Sequence, residues 1–148
     1  MPQTNQAQIA YILKGFPRLT ETFISNEIYL LEQLGTQLVL FSIKSGELNK
    51  QHEVIKKIKS PLTYLPSVTS LSGSYLLIWV LKNLRPYLKH HINMLWVSPS
   101  RYFATFRKAW ALAWQHRNGS LRLRKVFIKE FIQAGFIASQ IQNQPNIL

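Results

Sequence analysis

Neither cysteine nor aspartate occurs among the 148 residues, and each absence removes a chemistry. Without cysteine there is no disulfide and no thiolate metal site, and a reducing compartment is permitted. Without aspartate the carboxylates commonly used to hold a catalytic magnesium are gone, and no Ser-His-acid or Cys-His set is assembled. Acidic side chains of any kind are scarce, six glutamates against eighteen lysines and arginines. Long apolar runs are missing too. The longest, Tyr75 to Leu81 in YLLIWVL, falls far short of the roughly 20 residues that span a bilayer. The N-terminal MPQTNQAQ carries no charged region ahead of its apolar run, so no signal peptide is expected.

What is present is a chain with surface to bury. Apolar residues make up 47% and charged residues 16%, a balance that excludes wholesale disorder. The length suits one domain with a hydrophobic core, or part of one, rather than two full-sized domains. Charge is divided unevenly. Residues 1–50 hold four basic residues (Lys14, Arg18, Lys44, Lys50) and four glutamates (Glu21, Glu27, Glu32, Glu47), whereas the later residues hold fourteen basic residues against Glu53 and Glu130. The whole net charge of +12 therefore lies beyond residue 50. Such a field suits an anionic partner, whether lipid headgroups, a phosphorylated substrate or nucleic acid, or else a plain solvated face. Nucleic acid ranks last among these, because no RNP-like, helix-turn-helix or zinc pattern is present and the aromatics do not interleave with arginine.

Local patterning gives the elements. QIAYIL, residues 8–13, is nearly all apolar, as expected of a parallel strand covered on both faces. Gly15 and Pro17 end it, Thr20 is placed to cap a helix, and Glu21 follows in the expected first turn. Ile24, Ile28 and Leu31 form an apolar stripe widened by Phe23, Leu30 and Leu34. Gly35 is the expected left-handed stop, and TQLVLFSI, residues 36–43, reads as a second strand. Strand, helix and strand make a βαβ unit with an expected right-handed crossover, so the loop after the first strand lies where open α/β sheets hold their ligands.

After Ser45 a short polar helix is expected in LNKQHEVIKKIK, and a brief third strand in PLTYLP, residues 61–66. Helix follows over Ser72 to Leu84, broken at Pro86, then again from Ser98 as cap with Pro99 first. There Phe103, Phe106, Trp110 and Trp114 fall within about 80° of one another, and are read as core in preference to a membrane-interface face. The last helix spans about Leu121 to Gln142, its apolar face made by Leu123, Phe127, Phe131, Ala134, Ala138 and Ile141. Arg122, Lys125 and Lys129 share one edge of it, a candidate membrane or anion-binding surface.

The stretch IAYILKGFPRLTETFISNEIYLLEQLGTQLVLFSI resembles the N-terminal segment of bacterial family 4 glycosyltransferases of the exopolysaccharide and colanic-acid type. The likeness rests on Phe16, Pro17, Thr20, Glu21, Thr22, Phe23, Glu27, Leu34, Gly35, Phe41 and Ser42 at fixed spacing. LTYLP and the final KEFIQAGFIASQI match less specifically. The resemblance implies an incomplete Rossmann-like, GT-B N-terminal α/β unit over residues 1–45, with residues 46–148 a helical, basic insertion and return helix of the same domain. It also implies sugar transfer from a nucleotide-sugar to a glycan or lipid-linked acceptor in polysaccharide synthesis.

On that resemblance Phe16, Pro17, Thr20, Glu21 and Thr22 line the acceptor side of the cleft. The family's His-x-His-Ala-His-Phe segment and its donor domain have no counterpart here. The chain is therefore expected to be an amino-terminal part, inactive alone, meeting nucleotide-sugar only through a further domain. No catalytic residue, cofactor or metal is assigned. His52, His90, His91 and His116 lie outside the motif, and the adjacent pair points about 100° apart without carboxylate companions. Thr20 and Glu21 read equally well as ordinary helix-start residues. The expected location is cytoplasmic, peripheral on the inner membrane face. The competing reading is a non-enzymatic basic helical module that docks on anionic membrane or a protein.

Overall fold

The computed structural model describes residues 8–46, 53–70, 75–115 and 121–143. The chain divides into two compact units at Leu65/Pro66. The boundary expected after residue 45 is displaced because the third strand joins the sheet of the first unit.

In the first unit β1 (Gln8–Leu13), α1 (Thr22–Gln33), β2 (Gln37–Ser42) and β3 (Leu62–Tyr64) form a three-stranded parallel sheet with one helix. β1 and β2 align from Gln8↔Gln37 to Leu13↔Ser42, and β2 and β3 from Leu40↔Leu62 to Ser42↔Tyr64. The spatial order β1-β2-β3 is the one that runs outward from the first strand of a doubly wound sheet. β2 is central and buried along Leu38–Ser42. β1 is an edge among the described residues, with Ile9 44% and Ile12 53% exposed, so the expectation that both its faces are covered is corrected.

Leu13, Phe16, Ile28, Leu38 and Leu40 make the core, with Ile24 and Leu31 packed against it. Full burial of Ile28 alone contributes about 2–3 kcal/mol. The stripe is narrower than expected, since Phe23, Leu30 and Leu34 are exposed. Helix α1 ends as its sequence indicates. Gly35 has φ +82°, its N–H donates to the Glu32 carbonyl and the Thr36 N–H to the Leu31 carbonyl, both at 3.0 Å, a Schellman closure. Between β2 and β3 the described residues contain a 3-10 turn, Ile55–Lys57; the rest of the short helix expected there lies partly outside the described residues.

The second unit is helical: α2 (Leu76–Leu84), a 3-10 turn at Arg85–Tyr87, α3 (Leu88–Val97), α4 (Pro99–Gln115) and α5 (Leu121–Gln142). The expected start of α2 at Ser72 lies outside the described residues. Pro99 opens α4 and the Ser98 carbonyl accepts the Tyr102 N–H at 2.9 Å. Trp79, Asn83 and Tyr87, four residues apart, tie down the segment before α2. Trp79 Nε1 donates to the Ser70 carbonyl (3.0 Å), Asn83 Oδ1 accepts the Thr69 N–H (2.8 Å), and the Tyr87 hydroxyl donates to the Pro66 carbonyl (2.5 Å).

Helix α5 does not bury the face expected of it. Ile132, Gln133, Phe136, Ile137 and Ser139 are inside, while Leu123 and Ala134 are exposed. His90 and His91 of α3 pack against this buried face. His90 lies on Phe136, ring centroids 4.4 Å apart, and its Nδ1 is 3.2 Å from Ser139 Oγ. His91 Nε2 meets the Ile132 carbonyl and Nδ1 the Tyr102 hydroxyl, both at 3.0 Å. Gly135 makes room: a Cβ there would come within 2.5 Å of His91 Cε1.

Candidate functional site

The loops leaving β1 and β2 emerge side by side, because parallel neighbours present their carboxyl ends at one edge. The Ile43 N–H donates to the Leu13 carbonyl at 2.9 Å, and Phe16 and Ser45 form one further parallel bridge. Gly46 lets the two loops touch. A Cβ at Gly46 would lie 1.9 Å from the Pro17 carbonyl oxygen, which no side chain tolerates. The Phe16–Pro17 bond is cis.

Phe16 and Pro17 are buried, and Phe16 belongs to the core. They form the floor of the loop instead of lining a cleft, which corrects their expected role as contact residues. Thr20, Glu21 and Thr22 do reach the surface side of the loop, with Thr20 and Thr22 exposed. Thr20 is not the helix cap. Glu21 occupies that position, and its side chain makes no capping bond. It turns instead to Arg18, with Nη1–Oε1 at 2.6 Å. The backbone supports this pairing through the Glu21 N–H, which donates to the Arg18 carbonyl at 3.2 Å.

Arg18 and Lys44 carry no motif signal in the sequence, yet both lie beside Gly15. Arg18 Cδ and Lys44 Cβ would stand 3.7 and 3.8 Å from a Cβ placed there. Buried Ser42 fixes the start of the second loop by donating from Oγ to the Lys44 carbonyl at 2.7 Å. The result is a pair of adjoining loops that carries Arg18, Thr20, Glu21, Thr22 and Lys44 at the carboxyl edge of the sheet. Its hydroxyls, one carboxylate and two cations are suited to hydrogen-bonding sugar hydroxyls or a phosphate. The only advance signal for Arg18 was its spacing three residues before Glu21.

The second candidate surface does not assemble as expected. Arg122 is exposed, but Lys125 is 1% exposed, its Nζ 6.0 Å from the Trp79 ring centroid. A lysine held under an indole cannot meet lipid headgroups, so the expected edge of Arg122, Lys125 and Lys129 is broken at its centre. The aromatic file of α4 is also not core. Phe103, Phe106, Trp110 and Trp114 are 59, 43, 45 and 48% exposed.

His90 and His91 both have pKa values lowered, in each case first by burial; Lys89 and His91 add to the effect on His90, and the Ile132 carbonyl opposes it for His91. Burial likewise raises the Tyr102 hydroxyl. His52 and His116 lie outside the described residues. Among the described residues no group of three or more His, Cys, Asp or Glu could hold a metal ion, and no helix is long and apolar enough to cross a membrane. No family model, curated protein or solved structure matches the chain.

Proposed function

We propose that residues 8–65 form the acceptor-side wall of a glycosyltransferase that passes a sugar from a nucleotide-sugar to a glycan or lipid-linked acceptor. The observation that carries this reading is the meeting of the two loops at the carboxyl edge of β1 and β2. There the motif residues Thr20, Glu21 and Thr22 stand at the surface on a floor of Phe16, Pro17 and Gly46. The resemblance of that stretch to family 4 glycosyltransferases supplies the chemistry, and the parallel order of the strands agrees with the start of a Rossmann-like half of a GT-B enzyme. The half-exposed outer strand β1, central in a complete doubly wound sheet, fits a unit that shares its sheet with further strands. On this reading the donor site belongs to a further domain and the catalytic histidine to a segment that these residues do not include, and the role of these residues is to bind and orient an acceptor.

The test is binding by heteronuclear NMR, with maltotriose and glucose 1-phosphate as probes. The expected result is shift changes confined to residues 15–22 and 44–46, weakened in both Glu21→Gln and Arg18→Ala. Changes scattered over the chain, or none at millimolar probe, would remove the acceptor-site assignment.

A further inference from the structure

We propose that the aromatic file of α4 is a docking face for an anionic phospholipid membrane. It involves only the second unit and stands apart from the sugar-transfer reading. Phe103, Phe106, Trp110 and Trp114 lie along one side of the helix over about 16 Å. Phe106 stacks on Trp110 at 6.0 Å and Trp110 on Trp114 at 5.7 Å between ring centroids. Phe106 also meets the edge of Phe131 on α5 at 5.5 Å, so the file is anchored at its base and bare on top. Of the seventeen residues in α4 only Ala113 is buried. A helix that packs along α5 and still leaves four large rings half-exposed carries an unusual apolar exposure.

Charge identifies the occupant. Residues 66–143 contain eleven lysines and arginines and one glutamate, Glu130, so that no acidic side chain interrupts the positive field from α2 through α4. Arg124 stands over the Trp114 ring at 5.8 Å. Arg107 follows Phe106 directly, about 60° around the helix from the centre of the file, whereas Arg101 and Lys108 lie on the opposite side. Tryptophan with basic neighbours is the composition of an interfacial helix, whose rings settle at headgroup depth. A basic surface almost free of acidic side chains matches a negative plane better than the mixed surface of a typical protein partner. The face involved differs from the edge of Arg122, Lys125 and Lys129, which burial of Lys125 rules out.

The experiment uses the full chain and vesicles of phosphatidylcholine with or without phosphatidylglycerol. All four tryptophans lie in the second unit, so their emission reports it directly. In Trp96→Phe, a blue shift and quenching by bromolipid are expected with the anionic vesicles, and little of either with neutral ones. Trp110→Ser/Trp114→Ser should weaken cosedimentation about tenfold or more with helicity by circular dichroism unchanged, and Arg107→Glu/Arg124→Glu should do the same at low salt. Equal binding to neutral vesicles, unchanged binding by both variants, or absence of binding with self-association through this face would each overturn the proposal.

Discussion

The imidazole of His91 sits where α3, α4 and α5 meet, and the tautomer of its neutral form is fixed by its partners. The Ile132 carbonyl can only accept, so Nε2 carries the proton and Nδ1 accepts from the Tyr102 hydroxyl. Adding a second proton would place a cation among Tyr102, Phe131 and Gly135 and turn the Tyr102 bond around. Since burial lowers the pKa of His91, and of His90 beside it, below the ordinary 6.5, the unfolded chain takes up those protons first. Stability from the pair is therefore fully present above about pH 6.5 and is lost as pH falls through the lowered values. Urea titrations at about pH 7.5 and 5, above the glutamate range, should show a lower midpoint at the acid end. The loss should shrink in His91→Gln, which keeps one donor and one acceptor without the charge. A midpoint independent of pH over this interval would contradict the neutral assignment. No sequence pattern gave notice of this junction, because the need for glycine at 135 arises from a ring on another helix.

At the scale of elements, punctuation was legible and burial was not. Gly35, Pro99 and the ends of α5 act through backbone geometry within a few residues, so the sequence locates them well. The inward face of α5 meets partners distant in sequence, His90, His91, Trp79 and Tyr87, with Lys125 beside Trp79 and Gln133 bonded to Tyr87, ahead of Leu123 and Ala134. Nothing in the sequence marks Glu32 as having a partner outside its own helix. Its carboxylate nevertheless accepts the Lys59 N–H at 3.0 and 3.1 Å and the Ser60 N–H at 2.7 Å, with the Ser60 hydroxyl as a further donor. One side chain near the end of α1 thus fixes the approach to β3. Glu32→Ala should cost about 1–3 kcal/mol by urea unfolding, with Glu32→Gln in between because it keeps one acceptor oxygen. A wild-type midpoint in Glu32→Ala would mean the approach to β3 is held by other contacts.

For the molecule as a whole, the two units hold their surface differently, and that difference should be visible in hydrogen exchange. The amides of Leu38–Ser42 lie on a central strand, bonded into ladders with β1 and β3 and buried along their length. Helix α4 has every backbone bond of a helix but one buried side chain to hold it down, and α5 is intermediate, protected from Ile132 to Ser139. Opening free energy follows such local burial. The slowest amides should therefore be those of β2, with α5 from 132 to 139 next and α4 from 101 to 112 faster by orders of magnitude. Adding anionic vesicles should slow α4 selectively and leave β2 unchanged, because only α4 would gain apolar contact. Exchange in α4 as slow as in β2 before any lipid is added would show that the helix is secured by its own unit. Its exposed rings would then need no second surface to explain them.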